Sequence, residues 1–280
     1  MSSNDRYPIV AGSFYTADSS KLKNEVLNYL ENAVSRENDA KAVISPHAGY
    51  VFSGQVAASA INQLNPDKKY ENVFVIGVSH HVSLRGASIY NLGDYKIPGA
   101  TIKVNRILAT ELVKKHDFFE YNRNAHNQEH SLEVQLPFLY YHLKQEFQII
   151  PIIIGTNNIE IIKQIADVLK PFFNEKNAFV FSSDFSHYPD YEDAKHIDEV
   201  TAKAFISNNP EEFVKTIKLN SGKNIKNLST SACGWTGMLT LLYMTQNKDV
   251  KYQIIDYKNS GDSKHGGKDR VVGYYAISCV

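Results

Sequence analysis

The sequence predicts an α/β fold in a single domain over 1–280, with a mainly parallel central sheet flanked by helices. Three observations lead there. Short apolar runs alternate with segments of helical period along most of the 280 residues, the pattern of strands joined by crossover helices. No Gly/Pro/Ser-rich linker and no internal repeat divides the chain. A chain of this length can bury roughly three quarters of its unfolded surface in one fold.

The elements follow in order. Residues 1–7 are polar, are expected to be disordered and lack the apolar stretch of a secretory leader. Residues 18–35 open with Asp18 as a cap and place Leu22, Val26, Leu27, Leu30 and Val34 on one helical face. Residues 41–45 form a short apolar run before Pro46. Residues 51–64 return to helical spacing, and 72–78 read as a buried strand. Residues 82–103 read as a loop. Helices are expected over 104–115, 129–145, 158–170, 192–207 and 234–246. Strands are expected over 147–154 and 178–183, with two closing strands over 251–257 and 270–279. The segment 258–269 reads as a polar loop that could cover a site. The longest apolar runs, such as Ile-Ile-Pro-Ile-Ile-Ile over 149–154, fall far short of the ~20 residues of a spanning helix, so no membrane partner is expected.

Composition narrows the function. Thirty basic residues balance 30 acidic ones, and a neutral chain lacks the field that non-specific nucleic-acid binding requires. Two cysteines, Cys233 and Cys279, cannot build a disulfide framework, which implies a reducing, cytoplasmic setting. Ten histidines are the feature to pursue, because imidazole is the commonest metal ligand and the usual acid/base near neutral pH. Dinucleotide, Walker, zincin, Cys-x-x-Cys and Gly-x-Ser-x-Gly motifs are absent.

Three strand-like runs end in histidine motifs: Pro46-His47-Ala48-Gly49-Tyr50, Ser79-His80-His81 and Asp184-Phe185-Ser186-His187. In open α/β sheets ligands bind at the carboxyl ends of the strands, so these imidazoles are expected at one sheet edge. Each has an ordinary reading as well. His47 could be a turn residue, and Asp184 an N-cap instead of a carboxylate orienting His187. In extended chain His80 and His81 cannot point the same way. Glu129-His130-Ser131-Leu132-Glu133 opens a helical stretch, where the dipole explains both glutamates and keeps His130 neutral. Cys233 precedes the helix at 234–246, where a thiol gains thiolate character; the alternative is a small buried apolar residue. His116, His126, His142, His196 and His265 read as surface or core residues.

These motifs, in this order and together with Ala11-Gly12-Ser13-Phe14-Tyr15-Thr16 and Cys233-Gly234, resemble the Memo family from about residue 8 to the C-terminus. The resemblance implies a fold like that of class III (LigB-like) extradiol dioxygenases, which are non-haem iron enzymes. It implies that His47, His80 and Cys233 match metal-binding positions, and that His81, His130, Asp184 and His187 line the same pocket. Some members have a histidine where this chain has Val10. A thiolate in place of the dioxygenase carboxylate makes Fe(II) or Cu the expected metal ahead of Zn and weakens the case for catechol cleavage. The expected function is a redox or oxygen-dependent activity on a small substrate. In that reading His130 or His187, oriented by Asp184, is the acid/base. The alternatives are a binding module for phosphotyrosine-type or other anionic ligands and a metal-dependent hydrolase. Relatives encoded beside radical-SAM proteins imply such a protein as a partner.

Overall fold

The computed structural model describes residues 4–36 and 39–280. Four strands form its parallel centre: β1 (Ala42–Ser45), β2 (Asn72–Val78), β7 (Gln148–Ile154) and β8 (Asn177–Ser182) lie in the order β7-β2-β8-β1, every pair parallel. They read as continuous apolar runs because both faces are covered. Phe74 stacks on Phe179 with ring centroids 4.6 Å apart, and Phe181 continues the stack.

The sheet grows outward by antiparallel pairing. β10 (Gly273–Cys279) pairs with β1, and β9 (Tyr252–Asn259) pairs with β10. At the other edge β3 (Ala87–Ile89) runs antiparallel to β7 and carries β6 (Phe119–Glu120). The sheet is therefore eight-stranded and mixed, with its parallel part at the centre. A separate hairpin, β4 (Tyr95–Ile97) with β5 (Ala100–Ile102), turns at Gly99 with φ 84°, a conformation glycine adopts without strain. Residues 82–103 are thus not one loop. Their strands of three residues are too short to display an alternating pattern.

Two groups of helices cover the sheet. α1 (Ser19–Glu31), α2 (Tyr50–Ile61) and α5 (Leu136–His142) pack together, and α2 lies on β1 and β10. α6 (Ile159–Leu169), α7 (Tyr191–Ile206), α8 (Pro210–Gly222) and α9 (Trp235–Thr245) form the second group, with α9 on β2 and β8. α3 (Arg106–Lys115) packs on β6 and β7, and the short α4 (Arg123–Asn127) is tied through His126 to Ser88 of β3 and Tyr95 of β4. Asp18 caps α1 as expected, accepting from the Lys21 N–H at 2.8 Å.

Two further expectations differ from the structure, and one helix, α8, has no counterpart among them. The helix expected over 129–145 is a turn, then a 3-10 segment Glu133–Gln135, then α5; Pro137 sits in its first turn, where proline is tolerated. α8 escapes the periodic pattern because Asn220 occupies its buried stripe, where its amide donates to the Thr201 hydroxyl at 3.0 Å. Of residues 1–7, Met1–Ser3 lie outside the described residues. Arg6 is buried, with its guanidinium against the Glu133 carboxylate. No helix among the described residues is long and apolar enough to cross a membrane.

Candidate metal centre

Strand register brings the motifs together. Ser45 pairs with Ser182, and Val78 with Ile154, so β1, β2, β7 and β8 end at one edge of the sheet. The chain leaves β1 into Pro46-His47, β2 into Ser79-His80-His81, and β8 into Ser183-Asp184. Gly77 in β2 lets the 129–132 turn approach: a Cβ there would lie 2.3 Å from the Ser131 Oγ. That approach brings His130 beside the other two motifs.

His47, His80 and His130 each offer a ring nitrogen, and these atoms all lie within 4.8 Å of one another. The His80 and His130 rings are stacked at 5.1 Å, and His47 stands nearly perpendicular to both. Neighbouring hydrogen bonds fix which nitrogen faces inward. The Ser182 hydroxyl donates to the Ser131 carbonyl at 2.6 Å and accepts from the Gln135 amide at 2.9 Å. Its one proton is committed, so His47 Nδ1, 2.9 Å away, must be the donor. The lone pair is therefore on His47 Nε2, where it faces the Cys233 thiol at 3.3 Å. His80 Nδ1 lies 2.9 Å from Glu129 Oε1, and a carboxylate there draws the proton to Nδ1 and frees Nε2. A carboxylate behind a histidine is the usual support of a metal ligand.

Charge follows the same plan. Burial, then the neighbouring imidazoles of His80 and His130, hold the His47 pKa well below its ordinary value. Burial also lowers that of His130. Burial opposes the His80 cation, but the hydrogen bond and charge of Glu129 outweigh it and raise its pKa. Burial works against the Glu129 anion too, yet its bonds to His80 and the Ser131 N–H bring its pKa down to about 2.

The remaining expected residues fall around this cluster. Cys233 Sγ lies 3.3 Å from His47 Nε2. Cys233 precedes Gly234, the N-cap of α9, and burial and the Asp184 charge push its thiol pKa up, so the expected thiolate character does not arise from the helix end. Asp184 does not orient His187. It accepts from the His47 N–H at 2.7 Å, fixing the turn that presents His47, and burial raises its pKa to about 7. His187 lines the cleft, its buried Nε2 has no hydrogen-bond partner, and burial lowers its pKa to about 4. His81 lines the cleft beside His80. The two rings can share it because the chain bends there, held by the Val82 N–H on the Ser79 hydroxyl at 3.3 Å. His130 precedes the 3-10 segment, so no helix dipole acts on it; the neutral form follows from burial.

The sequence concealed the supporting residues. Glu129 is not a dipole partner: its carboxylate accepts from the N–H groups of His80, His130 and Ser131. Nor is Glu133, which accepts from Arg6, the Tyr15 hydroxyl and the N–H groups of Ile9 and Val10. This buried pair staples the N-terminal segment across the site and places Phe14 edge-on to His130 at 4.9 Å. The only signal was the proximity of two glutamates to a histidine motif. His126 and His142 are buried structural residues as expected. His265 instead lines the cleft, as do Ser260 and Gly266 from the segment over 258–269.

The cleft in front of the histidines has a volume of about 660 Å³, within the range of small-molecule sites. Another depression of about 550 Å³, between α6, α8 and α9, is lined by Lys163, Lys215, Lys218, Glu211, Tyr243 and aliphatic side chains and contains no histidine or cysteine.

A family model described as "Memo-like protein" matches residues 6–278. A "MEMO1 family protein" of Saccharolobus solfataricus is 30% identical, covering 97% of this chain and 98% of its own. One of Desulfurococcus amylolyticus is 28% identical over the same shares. Among solved structures, an uncharacterized protein of Escherichia coli K12 superposes with a TM-score of 0.55 at 12% identity, covering 84% of this chain and 98% of that one. At that identity the likeness supports the α/β fold alone.

Proposed function

The chain belongs to the Memo family, and from that premise and the histidine cluster we propose that it is a metal-dependent protein with a redox or oxygen-dependent activity on a small substrate. Its metal would be held by His47 and His80, with His130 as the third ligand and Cys233 as the competing one. The observation that carries this reading is the directed rings: Ser182 and Glu129 engage Nδ1 of His47 and His80, which leaves each Nε2 lone pair, that of His47 beside the Cys233 thiol, for the cluster that His130 completes. Three imidazoles, with His80 giving up its proton on binding, suit Fe(II), Cu(II) or Zn(II) and leave further coordination positions for substrate. A bound iron or copper ion would supply Lewis acidity and a one-electron couple.

The chain's own residues supply the rest. Asp184 holds the His47 turn in place, and Phe14 backs His130. His187 lines the cleft and its buried Nε2 has no hydrogen-bond partner, so an imidazole is available there for acid/base work. The test uses nitric oxide as a surrogate for oxygen. The Fe(II)-loaded protein should give a paramagnetic nitrosyl signal. Absence of any adduct on iron-replete protein would remove the oxygen-dependent part of the reading. Turnover that persists without oxygen or any redox change would favour hydrolysis instead.

A further inference from the structure

We infer that Arg270 recognises an oxyanion group, a carboxylate or a phosphate, on the small substrate of the histidine cleft. The inference rests on the reading of that cleft as a substrate site. Arg270 lines the cleft together with His187, Tyr188 and His265. Its guanidinium lies over the Tyr188 ring, 4.8 Å from the centroid. Stacking occupies one face of the fork and leaves the N–H donors at its edge available. Among the described residues Arg270 forms no ion pair. Asp184, the acidic residue of the cleft lining, is already engaged by the His47 N–H, and Glu129 behind the cleft is engaged by His80 and three backbone N–H groups. An arginine keeps its charge at every working pH, whereas histidines that bind a metal do so as neutral rings. Arg270 is therefore the cation of a cleft whose one lining carboxyl, Asp184, is already hydrogen-bonded to the His47 backbone.

The backbone holds this cation in place at a cost. Tyr188 sits at φ 75°, a conformation that a bulky side chain adopts only when its surroundings impose it. Both sides impose it here. The Tyr188 N–H donates to the Val271 carbonyl at 2.6 Å, and the Val271 N–H returns to Pro189 at 2.9 Å. His187 is bridged to Thr230 and Val272. These bonds tie the two segments together and place the Tyr188 ring beside the exposed Arg270 side chain. Strain of this kind collects at binding sites, and a planar fork beside a pocket of small-molecule size matches a carboxylate or phosphate in a bidentate manner.

The test measures binding of benzoate, phenyl phosphate and the neutral benzyl alcohol to the metal-loaded protein and to R270M and R270K. The wild type should bind one of the two acids at least tenfold tighter than the alcohol. R270M should lose about tenfold for that acid and leave the alcohol unchanged. R270K, with the charge but not the fork, should fall between them. The acid that responds identifies the oxyanion. An equal response to all three compounds, no binding of either acid, or an acid preference that survives in R270M would overturn the inference. Arg270-dependent capture of a phosphotyrosyl peptide, with no response to either small acid, would overturn the small-substrate class. Metal content of the same samples reports on the histidine reading separately. Full metal without an Arg270-dependent preference removes this inference alone, and a preference in protein that takes up no metal on loading removes the metal reading alone.

Discussion

Replacing Glu129 by glutamine isolates what organises the centre. The Glu129 carboxylate accepts at Oε1 from His80 Nδ1 at 2.9 Å, the His130 N–H at 2.9 Å and the Ser131 N–H at 2.8 Å, and at Oε2 from the His80 N–H at 2.8 Å. An amide fits the same space but turns one acceptor into a donor. Its better orientation keeps Oε1 and sets an NH₂ group against the His80 N–H. One buried donor is then unpaired, at about 1–3 kcal/mol, and the charge behind His80 is gone. Loss of such support typically lowers metal affinity 10–100-fold, about 1.4–2.8 kcal/mol of binding free energy. The assay is titration of metal-free protein against a chromophoric chelator, with circular dichroism to show that the variant is folded. A folded Glu129→Gln protein that binds metal within about twofold of wild type would refute the reasoning, since His80 would then be presented without its carboxylate.

Other perturbations bear on the frame around the centre. Glu133→Gln leaves the Arg6 guanidinium buried without its counter-charge and should cost about 3–5 kcal/mol, read by urea denaturation; a loss under 1 kcal/mol contradicts the staple. Gly77→Ala puts a methyl group 2.3 Å from the Ser131 hydroxyl and should cost about 1–3 kcal/mol while weakening metal binding through His130. A fully stable variant with unchanged metal affinity would show that the 129–132 turn yields freely. His126 is buried against the Tyr95 hydroxyl, and burial holds its pKa at about 3. The unfolded chain takes up that proton first as pH falls below about 6.5, so the stabilising contribution present above that pH is lost between 6.5 and 3, by up to about 1.4 kcal/mol per pH unit. Buried Asp184 and Asp198, raised to about 7, act in the opposite direction. The wild type minus His126→Gln difference therefore isolates the histidine, and identical pH slopes for the two proteins would count against it.

The parallel centre was legible because buried strands leave unbroken apolar runs, as in 72–78 and 148–154, and because histidines followed three of them. Gathering of those motifs at one edge follows from parallel register alone. The third imidazole was harder to place. His130 reads as the opening of a helix, and only Gly77 and the bonds made by Glu129 bring it to His47 and His80. Arg6 carried no local signal, since its partner Glu133 lies far along the chain. Asp184 had a plausible partner three residues away in His187, but the turn at His47 is closer in space. The β4–β5 hairpin and α8 were missed where strands are short or a polar residue interrupts the buried stripe.

The central claim is that one metal is held by the imidazoles of His47, His80 and His130. It is tested most directly by metal content and affinity in single alanine variants of these three residues and of Cys233. The account predicts that the His47, His80 and His130 variants each lose tight binding of Fe(II) or Cu(II), while Cys233→Ala retains at least part of it. Retention of wild-type metal by folded His130→Ala, with complete loss in Cys233→Ala, would contradict it and assign the third ligand to the thiolate.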